Sequence, residues 1–125
     1  MHRRLIVGCA RSSLDAVAQI AQLPGETTII SRRREVTERC ADLDVRCLRR
    51  DPSDADEYPE AADTVICSAR DTARNNTLIR ALDGRYPHAP RIVIGGEDDG
   101  SEAAAAIGAT ADRWVRSGQA TAAAI

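Results

Sequence analysis

A chain of 125 residues suffices for one domain with a sizeable core, and 43% hydrophobic with 29% charged residues excludes a disordered polypeptide. A net charge of −2 gives no bulk attraction to nucleic acid, and no apolar run approaches the roughly 20 residues of a membrane span. No signal-peptide pattern occurs either, so a cytoplasmic domain is expected.

Aromatic residues make up only 2%, with no Phe, so the core must be built from Val, Ile, Leu and Ala. That composition suits a helix-covered parallel sheet better than a β-sandwich. All 17 basic residues are arginine, which composition bias explains most simply, although a planar guanidinium fork also fits phosphate. The four cysteines, Cys9, Cys40, Cys47 and Cys67, contain no C-x-x-C pair. They read as reduced, buried small residues, not as a zinc site or a disulfide frame.

In chain order, Leu5-Ile6-Val7 is a short apolar run suited to a strand buried on both faces. Gly8 ends it, and Leu14, Val17, Ala18 and Ala21 then recur at helical spacing, with Ser12 or Ser13 as the cap. A strand–turn–helix of this kind aims free amide N–H groups at an anion, which in dinucleotide-binding folds is a pyrophosphate. Against G-x-G-x-x-G the turn reads Gly8-Cys9-Ala10-Arg11-Ser12-Ser13 and keeps only the first glycine. Ala10 adds a methyl where the phosphates would approach, and Ser13 adds a small side chain where helix and strand pack closely.

Leu23-Pro24-Gly25 stops the first helix, and Thr27-Thr28-Ile29-Ile30 forms a second strand ending at Ser31. Arg32-Arg33-Arg34 leads into a short helix with Val36, Cys40 and Leu43 on one side. Val45-Arg46-Cys47-Leu48 is a less apolar third strand, expected near the sheet edge. An acidic connector opens at Asp51-Pro52-Ser53-Asp54 and runs to Glu60, with Pro52 and Pro59 limiting helix to about a turn. Thr64-Val65-Ile66-Cys67 is the fourth strand. Asp71 or Thr72 then caps a helix bearing Leu78, Ile79 and Leu82, which Asp83-Gly84 stops.

Tyr86-Pro87-His88-Ala89-Pro90 is a rigid connector into the fifth strand, Arg91-Ile92-Val93-Ile94, closed by Gly95-Gly96. A polar loop over residues 97–101 precedes a helix around 103–107 that stops at Gly108. Asp112-Arg113-Trp114-Val115 is a short sixth strand, and residues 117–125 form a tail or the start of a connecting helix. No internal repeat or linker divides residues 1–125, so a single domain is expected. Regular strand–helix alternation with short links predicts an α/β fold with a doubly wound parallel sheet and right-handed crossovers. The expected arrangement is Rossmann-like, with strand order 3-2-1-4-5-6 and a ligand crevice above the carboxyl ends of strands one and four.

With these elements in place, the chain resembles the TrkA-N family, the nucleotide-binding lobe of RCK domains that regulate potassium channels and transporters. The likeness runs from Arg3 to about Ser117. That family's first turn reads G-x-G-R-x-G, and Gly8, Arg11 and Ser13 fall on its first glycine, arginine and last glycine. Its G-D-A-T-D after the third strand is met by Arg50-Asp51-Pro52-Ser53-Asp54. Its acidic turn and following asparagine correspond to Ser68-Ala69-Arg70-Asp71 and Asn75, and its L-G-A-D-x-V-V to the stretch from Ile107 to Val115.

The resemblance implies an NAD(P)-binding site built from Gly8, Cys9, Ala10, Arg11, Ser12, Ser13, Ser31, Arg32, Arg33, Asp51, Ser53, Ser68 and Ala69. In NAD-preferring members an acidic residue ends the second strand and holds the adenosine ribose. Here Ser31 followed by arginines offers a hydroxyl and guanidinium forks to a 2′-phosphate, so NADP(H) is expected ahead of NAD(H) or another adenine nucleotide. Arginines are unfavourable at a helix N-terminus, which calls for a compensating anion there. Equally, Arg32, Arg33 and Arg34 read as a solvated helix start, and Asp51 to Asp54 as a plain turn.

No catalytic set is found. His2 lies in the leading segment and His88 between prolines, neither at the crevice, and no H-E-x-x-H, G-x-S-x-G or P-loop pattern occurs. Cys9 in the first turn is a candidate accessible thiol, its pKa lowered by the helix N-terminus. The expected function is a nucleotide-sensing regulatory module controlling a potassium transport protein, a fused effector domain or another partner, and working as a homodimer as the resemblance implies. The alternatives are a degenerate scaffold for dimerisation that binds no nucleotide, and a small NADP-dependent oxidoreductase subunit.

Overall fold

Leu5, Ile6 and Val7 have no accessible surface, as a strand covered on both faces requires. In the computed structural model the described residues are 1–9, 11–52, 58–68, 72–95 and 113–116, the side chains of 12, 72–76, 95 and 113–116 lying outside the description. The central strand is β1 (Arg3–Val7), followed by α1 (Leu14–Ala21), β2 (Glu26–Ile30), α2 (Arg34–Arg39) and β3 (Arg46–Leu48). Beyond these come β4 (Thr64–Cys67), α3 (Thr72–Asp83), β5 (Arg91–Gly95) and β6 (Arg113–Arg116). Every pairing is parallel and the strand order is β3-β2-β1-β4-β5-β6, the doubly wound order expected from the alternation.

Alternation along the strands divides the core into two layers. Leu5, Val7, Val65, Cys67 and Val93 pack with Leu78, Ile79 and Leu82 of α3. Ile6, Ile29, Ile66, Ile92 and Ile94 point the other way and pack with Ala16, Val17 and Ile20 of α1 and Val36 of α2. The chain moves from β1 to β2 with α1 on one face, and from β4 to β5 in the opposite direction with α3 on the other face. Crossovers of a single hand demand this exchange of faces. Among the described residues no helix is long and apolar enough to cross a membrane.

Several elements differ from the sequence expectation. The buried face of α1 is broader than the spacing predicts, taking in Ala16 and Ile20 while Leu14 is only half-buried. α2 is shorter, because Cys40 caps it and Leu43 lies beyond, its N–H donating to Cys40 O at 3.1 Å. β3 starts at Arg46 instead of Val45, whose N–H is spent on Leu43 O at 2.9 Å in a tight turn. β6 is shifted one residue, pairing Arg113 with Ile92 and Arg116 with Gly95. The expected helix around 103–107 and the segment 117–125 lie outside the described residues.

The third crossover has no helix among its described residues. Instead the chain is pinned by tyrosines: Tyr58 OH donates to Pro52 O, and Tyr86 OH donates to Pro59 O. Arg85 stacks its guanidinium 4.9 Å from the Tyr58 ring centre, and Tyr58 packs against the α3-side core. At the amino end of the sheet Glu26 N–H donates to His2 O at 2.9 Å, and His2 Nε2 lies 2.8 Å from Thr64 Oγ1. All four cysteines are free; Cys9, Cys40 and Cys67 are buried as expected, whereas Cys47 is only half-buried at the edge strand.

Candidate functional site

The ladder register brings the sequence-predicted residues to one end of the sheet. Val7 pairs with Ile30 on one side and with Cys67 on the other. Hydrogen bonding continues one residue further, from Gly8 N–H to Ile30 O at 2.8 Å and from Ser68 N–H to Val7 O at 3.1 Å. Ser31 N–H likewise donates to Leu48 O at 3.1 Å. Gly8, Ser31 and Ser68 therefore stand at the carboxyl ends of β1, β2 and β4. β1 is the switch point, where the chain leaves toward β2 on one side and β4 receives it on the other.

Gly8 has φ +70, a left-handed conformation that glycine adopts at no steric cost. It turns the chain sharply into a 3-10 segment, Arg11–Ser13, from which α1 continues. The expected serine cap is not formed by Ser13. It occupies the cap position with φ −100 and ψ −1, helical angles in place of the extended ones of a capping residue, and its side chain makes no cap hydrogen bond. Ser13 has no accessible surface, and its Oγ is buried without a hydrogen-bond partner among the described residues. Its hydroxymethyl group is thus packed inside. Ser68 Oγ, at the end of β4, is likewise buried and without a partner among the described residues.

Of the two readings of Cys9, the buried small residue holds and the accessible thiol does not. Cys9 is 5% exposed and packs with the α1-side core, and burial pushes its thiol up to about 12. Desolvation outweighs the favourable charge of Arg33 nearby.

On the β2 side the arginines meet carboxylates of the chain itself. Arg32 Nη1 lies 3.4 Å from Asp51 Oδ2, so two residues of the expected site are paired with each other. Arg11 Nη2 lies 3.7 Å from Glu35 Oε1, and Arg33 Nη1 lies 3.9 Å from Glu35 Oε2. Ser31 is 2% exposed, and its Oγ accepts the Arg33 N–H at 3.2 Å, so its hydroxyl organises the turn. Arg49 Nε donates to Arg32 O at 3.4 Å. Arg33 is the residue before α2 and carries no side-chain cap bond, leaving Glu35 as the acid in the first helical turn.

The anion that the arginines at this helix start require is present in the chain as Glu35, which the sequence expectation does not include. The signal was available, since an acid two residues into an arginine-led helix is where the dipole favours it. What the sequence did not carry was the reach of Arg11 from another turn. Ser12 contributes backbone to the 3-10 segment, while Ala10, Ser53 and Ala69 lie outside the described residues.

Two grooves open at the opposite end of the molecule. One of about 310 Å³ is lined by Arg3, Glu26, Arg46 and Glu60 among others, and one of about 260 Å³ by Asp63, Arg85, Tyr86 and His88 among others. Neither contains a residue of the predicted site. Compared with known proteins, the chain matches no family model and no curated protein.

Proposed function

We propose that this domain binds a nucleotide through its phosphates above the carboxyl ends of β1 and β4, and that occupancy is sensed as in TrkA-N modules and passed to a partner. The observation that carries this reading is the switch point at β1, with Gly8 at φ +70 opening the turn into α1. Open parallel sheets take their ligands at such points. The donor set fits a phosphorylated ligand in part: Arg11, Arg32 and Arg33 supply guanidinium forks at this end of the sheet. NADP(H) is the preferred candidate, because no carboxylate ends β2 to repel a 2′-phosphate. NAD(H) and other adenine nucleotides are the competitors. A homodimer that regulates potassium transport, or an effector domain in the same assembly, is the partner that the family resemblance implies.

A second reading is favoured by the ion pairs. Three arginines already engaged by Glu35 and Asp51 suit a dimerisation scaffold that binds no nucleotide. Calorimetric titration of the purified chain with NADPH, NADH, ATP and ADP separates the two. The sensor reading expects NADPH to bind more tightly than NADH, with the difference shrinking in Arg32→Ala. Equal affinities for the two would remove the 2′-phosphate assignment, and no heat with any of the four at millimolar concentration would leave the scaffold.

A further inference from the structure

We propose that Glu35 is a specificity-determining latch: it holds Arg11 and Arg33 together across the mouth between the first and second strand–helix turns, and a ligand phosphate must displace it. The inference rests on the nucleotide-binding reading of the same site. Its footing is the pairing of both arginines to one carboxylate, Arg11 to Oε1 at 3.7 Å and Arg33 to Oε2 at 3.9 Å. The two arginines come from different turns, Arg11 after β1 and Arg33 after β2, so the carboxylate spans the gap between them. The Arg11 side chain is 80% exposed, Arg33 36% and Glu35 46%, so these are solvated pairs at long distance. Such pairs are weak. They are therefore a contact that a dianionic phosphate replaces readily, because it offers more charge and more acceptor oxygens to the same two forks.

Glu35 lies in the first turn of α2, where the helix dipole favours a carboxylate, and Arg33 and Arg34 flank that turn. Its negative charge also lies where it opposes an incoming anion. The consequence is a threshold: ligands with a phosphate at this position gain the arginines only by outcompeting Glu35, and ligands lacking one gain nothing by doing so. Glu35 thus lowers affinity for phosphorylated ligands as a class and makes their binding depend on how many phosphate oxygens reach the two guanidinium groups.

The test is equilibrium binding of NADP⁺ and NAD⁺ to the intact chain and to two variants, Glu35→Gln and Glu38→Gln. Both remove one negative charge from α2, but Glu38 is an exposed residue with no ion pair to either arginine. Thermal melts of all three proteins establish that they are folded. Glu35→Gln is expected to bind NADP⁺ about five-fold more tightly, the scale of one or two exposed ion pairs, with a smaller change for NAD⁺. Glu38→Gln is expected to match the parent within about two-fold. Adding Arg33→Ala to Glu35→Gln should abolish the gain. If the parent binds NADP⁺ and Glu35→Gln binds it equally or less tightly, the latch is wrong and the nucleotide reading stands. Equal gains in both single variants would reduce the effect to net charge and also overturn the latch. If Glu35→Gln alone binds, latch and site are both supported; if no protein binds either dinucleotide, both fall together.

Discussion

Cys9 follows the glycine that opens the first turn, where a helix N-terminus would ordinarily draw a thiol toward ionisation. Burial decides otherwise, since a residue 5% exposed cannot stabilise a thiolate, and the pKa rises from 9.0 to about 12. Cys67, sealed inside β4, is raised to about 12 by the same cause. A thiol whose native pKa lies above its unfolded value favours the neutral, folded form. Its contribution is fully present below about pH 9 and is lost as pH climbs from there toward 12. Denaturant melts at rising pH should show stability falling above pH 9, and Cys9→Ala should soften that fall. Iodoacetamide should leave Cys9 unmodified at pH 8 in the folded protein. Rapid alkylation of Cys9 under native conditions would contradict its burial. A second residue-scale expectation concerns Gly25, at φ +119, where an added Cβ would sit 2.3 Å from His2 O. Because that oxygen accepts the Glu26 N–H, it is held by the ladder between β1 and β2 and has no freedom to yield. Gly25→Ala should therefore cost at least about 1–3 kcal/mol and lower Tm by several degrees. An unchanged Tm would show that the turn relaxes.

At the scale of elements, β1 and β4 register at their amino ends through Asp63. Its carboxylate accepts the Arg3 N–H at 2.8 Å and Nε–H at 3.3 Å, and its own N–H donates to Arg3 O at 2.8 Å. The Arg3 N–H and guanidinium hold the Asp63 carboxyl below its ordinary 3.8. A depressed carboxyl stabilises the fold above its unfolded pKa, and that stability disappears as pH falls through the native value. Asp63→Asn should accordingly be less stable than the parent at pH 7 and converge with it below about pH 4, which flattens the acid limb of its stability–pH curve. A parallel acid limb in the variant would remove the role. α3 gives a packing test: Leu82 is 2% exposed against β4 and β5, and Leu82→Ala should cost about 2–5 kcal/mol in urea denaturation.

The same elements show what local sequence carries. β4 was legible residue by residue, because the β-branched Thr64 leads into the apolar run Val65-Ile66-Cys67. α2 was not, since Cys40 and Leu43 keep helical spacing while the chain has already turned, and periodicity alone does not register a cap. Ser13, one of the two candidate caps of α1, does not cap it for a related reason. Ser13 has the right chemistry, but the preceding 3-10 turn gives it helical angles. The pairing of Glu35 with Arg33 is local, whereas Arg11 lies 24 residues away and reaches Glu35 only after β1 and β2 pair.

For the molecule as a whole, a central β1 with β2 on one side and β4 on the other places two strand–helix turns and the end of β4 around one crevice. The two opposite-end grooves carry arginines and glutamates too, but they sit where strands begin. Which end receives a nucleotide is the central question, and amide chemical-shift mapping of the ¹⁵N-labelled chain titrated with NADPH answers it directly. The largest shifts should fall on Gly8, Cys9, Arg11, Ser13, Ser31, Arg33 and Ser68, with His2, Glu26 and Asp63 nearly still. Shifts concentrated on that second set, or a spectrum unmoved at saturating NADPH, would contradict binding above the carboxyl ends of β1 and β4.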